Sequence, residues 1–80
     1  MAHYFFDIVD GDLTVDDAGT EFPDAHAARD AAIRVLPDIA RDKIGKGQSR
    51  EVQVVVRDEG GRALFMASLT LTAKWLVDTA

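Results

Sequence analysis

The stretch from Asp24 to about Ile44 constrains the fold most, because its apolar residues repeat at the spacing of a helix. On a wheel of about 100° per residue, one stripe of this segment is apolar and charged residues occupy the flanks and the outer side. Ala25 lies at the edge of the stripe, which carries Ala28, Ala32, Val35, Leu36 and Ile39. A helix with a single apolar stripe needs a flat apolar partner. The alternating segments on either side can supply that partner as a sheet.

The ends of this helix are marked by local signals. Asp24 is expected to be the N-cap, because its carboxylate can accept hydrogen bonds from free backbone N–H groups of the first turn. Gly45 and Gly47 are expected to end the helix. Pro37 falls inside it, on the solvent side, where it removes one backbone hydrogen bond. We expect one helix kinked at Pro37, and the alternative is two short helices that meet there.

Four segments have the period-two alternation of strands. Residues 1–9 and 13–15 precede the helix, separated by the turn signal Asp10-Gly11-Asp12. Residues 50–58 and 63–73 follow it, separated by Glu59-Gly60-Gly61, in which Gly61 is free to take a positive φ. The predicted fold is therefore α+β, with the order β-β-α-β-β and an antiparallel sheet that one kinked helix covers on one face. Residues 1–80 are expected to form a single domain.

Charge and composition limit the function classes. The net charge of −5 argues against broad nucleic-acid binding, which needs a cationic surface. The chain has no cysteine, which excludes disulfides and suits a reducing compartment. No signal peptide opens the chain and no apolar run is long enough to span a membrane. We therefore expect a cytoplasmic protein with no membrane and no nucleic-acid partner.

Three polar groupings are candidate sites of chemistry. The acidic run from Asp10 resembles a calcium loop, but Thr14 occupies its fifth position and Val15 stands where the loop needs glycine. Solvated turns explain this run better. His3 and His26 lack the spacing of a metal site. The basic residues Arg41, Lys43, Lys46 and Arg50 could meet an acidic partner or RNA, but interleaved acids favour a solvated helix end. We predict no catalytic, cofactor-binding or metal-binding residue and no enzymatic activity.

One predicted surface indicates a function more strongly than these polar groupings do. If the helix covers one face of the sheet, nothing in the chain covers the other face, which remains apolar. An exposed apolar patch of this kind usually marks association. We expect a homodimer through this face or through edge strands, unless the segment around Trp75 folds back across it. The predicted interface residues are Phe5, Val9, Val55, Leu64, Met66 and Trp75.

The assembled segments resemble a family of small bacterial domains of unknown function. The resemblance rests on short stretches spread over nearly the whole chain: Tyr4-Phe5-Phe6-Asp7, Asp10-Gly11, Asp17 with Gly19-Thr20-Glu21, Asp24 with Ala27-Ala28-Arg29, Leu36-Pro37-Asp38-Ile39-Ala40, Val56-Arg57-Asp58-Glu59, Gly61-Arg62 and Ser68-Leu69. Two small departures from the family pattern are present. Gly60 stands where the family more often has a polar residue, and the linker of residues 45–48 follows the pattern less closely. The family has no assigned reaction, so the resemblance implies no catalytic residues. It implies that Pro37 is a family feature.

The sequence therefore favours a small interaction or regulatory module that is homodimeric or binds a protein partner through the free sheet face. The alternative is an accessory domain that binds a small ligand or nucleic acid through the same face. That alternative predicts a concentrated basic or pocket-forming surface. An enzyme would need a concave site with perturbed titrating groups, and candidates are too few.

Overall fold

The computed structural model describes residues 1–44 and 51–78. The elements are β1 (Ala2–Val9), β2 (Leu13–Thr14), β3 (Thr20–Phe22), α1 (Ala25–Ile44), β4 (Glu51–Arg57) and β5 (Ala63–Thr70). All strand pairs are antiparallel, and the sheet order is β2-β1-β4-β5, with β3 also paired to β1. The α+β class and the strand–strand–helix–strand–strand order are confirmed. The strand β3 is an addition to the four strands that the alternation predicts.

The helix begins where its N-cap predicts. The backbone N–H of Ala27 donates to the Asp24 carboxylate at 2.9 Å, so one of the free donors of the first turn is satisfied. The helix continues through Pro37 to Ile44, so the alternative of two short helices is wrong. Pro37 is exposed, as expected. The predicted stop signals Gly45 and Gly47 lie outside the described residues.

The core lies between α1 and the strands β1, β4 and β5. The buried helix residues are spaced four apart, as Ala28, Ala32, Leu36 and Ala40. Three of these four are alanines, which let the helix lie close to the sheet. The opposing strand β4 contributes Val52, Val54 and Val56, which are at most 1% exposed. Val35 is expected on this stripe but is 37% exposed, because it lies to one side of the row of fully buried helix residues.

The edge formed by β2 and β3 is one strand interrupted by an excursion. Ile8 pairs with Thr14, and Tyr4 pairs with Thr20. Residues 15–19 therefore stand opposite residues 5–7 of β1, five residues against three. The chain between β2 and β3 leaves the line of the sheet in the manner of a large bulge.

The β4–β5 hairpin has the predicted turn, in which Gly61 takes φ 85°. β5 ends at Thr70, which pairs with Glu51 at the start of β4. The predicted strand extends to residue 73, whereas residues 71–73 form neither helix nor strand in the structure. A register shift near the turn leaves Leu64 without an opposing residue, since Val56 pairs with Phe65 and Arg57 with Ala63.

Candidate interaction surface

The face of the sheet opposite α1, called the open face below, carries the odd-numbered residues of β1. The strand register places Val55 beside Asp7 on one side and Met66 on the other, and it places Phe5 opposite Arg57. Cross-strand neighbours in an antiparallel sheet lie on the same face. Four of the six predicted interface residues therefore share this face: Phe5, Val9, Val55 and Met66.

These residues differ in exposure. Phe5, Val9 and Val55 are half-buried, whereas Met66 is 54% exposed. Leu13 pairs with Val9, lies on the same face and is 64% exposed. Leu13 was missed as an interface residue because its strand has only two residues. The tight turn before it could have revealed the pairing with Val9.

The other two predicted interface residues lie elsewhere. Leu64 is half-buried, packs against the core, and borders a small cavity with Ala25 and His26 of α1. The bulge at Leu64 breaks the alternation that had assigned it to the open face, so that assignment is wrong. Trp75 is 78% exposed and does not cover the sheet.

An ion pair occupies the centre of the open face. The guanidinium of Arg57 holds the carboxylate of Asp7 in two contacts, Nε to Oδ2 at 2.6 Å and Nη2 to Oδ1 at 3.1 Å. Asp7 is only 8% exposed. The guanidinium also lies 5.1 Å from the centre of the Phe5 ring. The centre of this face is therefore not uniformly apolar.

The excursion of residues 15–19 is held against this ion pair by Asp16. Its carboxylate accepts hydrogen bonds from the backbone N–H groups of Phe6, Ala18 and Gly19 at 3.0 to 3.1 Å. Its own backbone N–H donates to Asp7 Oδ1 at 3.0 Å, and its carbonyl accepts from Arg57 Nη2 at 3.0 Å. Gly19 lies so close to Phe5 that an added Cβ would stand 2.8 Å from the ring.

Residues 15–19 therefore cover one end of the open face. The expectation that nothing in the chain covers this face is wrong at that end. The cover is not an apolar helix or strand but a polar loop, which side-chain hydrogen bonds hold in place. The part of the face around Val55, Met66 and Leu13 stays accessible.

Hydrogen bonding sets the charges of this cluster. The guanidinium of Arg57 holds the pKa of Asp7 below its usual value, with a smaller contribution from the N–H of Asp16 and a partial offset from burial. The N–H groups of Gly19 and Phe6 lower the pKa of Asp16. The carboxylate of Asp7 in turn raises the pKa of Arg57. All three groups are charged near neutral pH.

The other polar groupings have structural partners. Asp10 accepts from the N–H of Asp12 at 3.3 Å and lies 3.6 Å from the ammonium of Lys43, which ties the end of the helix to the first turn. Arg41 pairs with Asp38 at 3.2 Å. Lys46 and Arg50 lie outside the described residues. Within residues 1–44 and 51–78, no group of three or more histidine, cysteine or acidic residues could hold a metal ion.

A second apolar feature lies at the edge of the sheet, between α1 and the end of β5. A groove of about 370 Å³ opens there, bordered by Pro37 and Ile44 of the helix and by Leu69 and Leu71 of the strand segment. β5 is the last strand of the described sheet, so its outer edge has no strand partner there. Residues 71–78 are all exposed and form neither helix nor strand.

The described residues contain no helix with the length and apolar character that crossing a membrane requires. No curated protein matches the chain, and no solved structure matches it. A match to the family described as Domain of unknown function (DUF6894) covers residues 3–70, from the start of β1 to the end of β5. The chain belongs to this family of domains of unknown function.

Proposed function

We propose that this domain is a non-enzymatic interaction module, homodimeric in solution, that binds a protein partner through the accessible part of its open face. The observation that carries the proposal is the exposed apolar surface around Met66 and Leu13, beside the half-buried Val55. Burial of apolar surface is the main favourable term in protein association. The cysteine-free sequence suits a reducing compartment, which supports a cytoplasmic location.

The hydrogen bonds within the polar cluster of Asp7, Asp16 and Arg57 support a non-enzymatic role. Both carboxylate oxygens of Asp7 and both of Asp16 accept hydrogen bonds from the chain itself. Such bonds hold the excursion in place and stabilise the charged forms. A general base needs a carboxylate that can reach a proton of a substrate. The cluster is thus better suited to shaping the surface than to acid–base chemistry.

The alternative of a nucleic-acid-binding domain has weaker support. Arg57, the cation at the centre of the open face, is paired with Asp7 and also donates to the Asp16 carbonyl. Binding to phosphates draws its free energy from cations that replace counterions. A net charge of −5 works against that process, so we favour a protein partner.

Capture of protein partners by the immobilised chain tests the proposal. Met66→Glu and Leu13→Glu each place a charge on the open face, and Val35→Glu is the matched control, an exposed apolar residue on the helix. We expect the two open-face variants to lose a partner that the wild type and Val35→Glu retain. Circular dichroism establishes that all four proteins are folded. Equal capture by the four then contradicts a binding role for this face.

A further inference from the structure

The alternation of β5 continues beyond the end of the strand. From Phe65 onward, every second residue is apolar as far as Val77, in the series Phe65, Ala67, Leu69, Leu71, Ala73, Trp75 and Val77. The first members of this series face the helix and pack on the core. Period-two alternation indicates a strand with one buried face. Yet β4 starts at Glu51, opposite Thr70, so residues 71–77 have no described strand beside them.

The outer edge of β5 lacks the features that keep edge strands from pairing. Its eight residues, Ala63–Thr70, include no charge and no proline. Natural edge strands usually carry lysine, proline or other charged residues, because their unpaired backbone groups otherwise template association. Residues 63–73 contain no charged side chain, and Lys74 is the first. This edge therefore has the character of a pairing surface.

The helix offers an apolar strip beside this edge. Arg29 borders a cavity with Phe65 at the start of β5, and Pro37 borders the groove at its end. Ile33 lies between them in the same row of the helix, since residues four apart share a face. Ile33 is 49% exposed. A strand added to the outer edge of β5 would cover Ile33 with its helix-facing side chains.

We propose that residues 71–77 are that strand, supplied in exchange between two copies of this chain, and that Trp75 of each copy packs beside Ile33 of the other. This inference rests on the proposed self-association and specifies how it occurs. With Leu71 opposite Leu69 of the second copy, Trp75 falls opposite Phe65 of that copy and faces its helix. The contact is two-fold symmetric. In one interface, each tail therefore pairs with the free β5 edge of the other copy.

The occupant of the edge is a second copy and not the tail of the same chain. The tail leaves the body at Leu71, beside its own groove. To reach Ile33 of its own helix, the chain would have to reverse direction within Thr72-Ala73-Lys74. This tripeptide contains none of the residues that favour tight turns, which are Gly, Pro, Asn, Asp and Ser.

The single tryptophan makes the inference directly measurable. In the single chain Trp75 is 78% exposed. In the exchanged dimer it packs beside Ile33 of the second copy and is shielded from solvent. Its emission maximum and its quenching by acrylamide should be recorded over a dilution series of the full chain, with sedimentation equilibrium in parallel. We expect blue-shifted, quencher-protected emission in the dimer and red-shifted, quenchable emission on dilution to the monomer.

A variant pair tests the helix contact. Ile33→Glu should raise the dissociation constant of the dimer by about tenfold or more, because it places a charge at the contact with Trp75. Val35→Glu, also an exposed apolar residue of α1, should leave the dissociation constant within about twofold of the wild type. Circular dichroism and thermal unfolding of both variants establish that each is folded.

Each outcome decides the inference. A dimer whose Trp75 is as quenchable as in the unfolded chain overturns the tail exchange and leaves self-association standing. A protected Trp75 in a chain that sediments as a monomer also overturns it, because the tail then docks on its own copy. A monomer with quenchable Trp75 at every concentration overturns both the exchange and the proposed homodimer. Equal dissociation constants for the two glutamate variants overturn the contact with Ile33.

Discussion

The backbone N–H of Phe6 donates a hydrogen bond of 3.0 Å to the carboxylate of Asp16, where a neighbouring strand would normally offer a carbonyl. Phe6 lies in the stretch of β1 opposite the excursion, between its pairs with β2 and β3. A buried backbone donor left without a partner is costly. The side chain of Asp16 therefore lets the chain leave the sheet and cover one end of the open face while that donor stays satisfied.

Asp16→Asn should make the stability of the domain less dependent on pH in the acid range. The folded-state pKa of Asp16 is depressed, so its contribution is present above the unfolded value of about 4 and is lost as pH falls through the folded pKa. We expect the variant to be less stable than the wild type at pH 7, and the difference to shrink below about pH 4. Urea unfolding at a series of pH values measures this. A difference that stays constant or grows on acidification would argue against the charged-acceptor role.

Gly19→Ala should destabilise the domain more than Gly61→Ala does. Both glycines have positive φ, 74° and 85°, so each alanine incurs a backbone cost of about 1–2 kcal/mol. Only at Gly19 does the new Cβ meet a side chain, the Phe5 ring at 2.8 Å, which should add about 1 kcal/mol or more. The comparison requires the free energy of unfolding of both variants. Equal losses would show that Phe5 moves aside without cost.

Pro37→Ala should increase the free energy of unfolding by about 1–3 kcal/mol. Alanine restores an N–H that can donate to the carbonyl of Ile33, four residues earlier, and it removes the clash of the proline ring with that carbonyl. Pro37 is exposed at the mouth of the groove, so little packing is lost. Denaturant unfolding measures the change. A loss of stability would mean that the contacts of the ring at the groove outweigh its cost to the helix.

The local signals in the sequence predicted the elements well, because each had its own physical cause. Asp24 caps the helix as expected, and Gly61 takes the positive φ that its turn requires. Alternation along β4 and β5 correctly separated the core residues from Met66. The kink at Pro37 stays a prediction, and only the continuity of the helix is established.

The features that sequence reasoning missed depend on long-range contacts. The Asp7–Arg57 pair joins residues fifty positions apart, and no periodicity shows that two opposite charges will meet across β1 and β4. Leu64 was misassigned because a single bulge shifts the alternation by one residue. The cover of the open face was missed because it consists of polar loop residues, which carry no apolar periodicity.

The free outer edge of β5 in the described sheet and the exposed residues 71–78 both favour self-association. Sedimentation equilibrium of the full chain at tens of micromolar tests it most directly, because mass is independent of shape. If two copies exchange their tails, the measured mass depends on concentration and approaches twice 8.7 kDa. A mass of 8.7 kDa that does not change over the whole concentration range would contradict self-association.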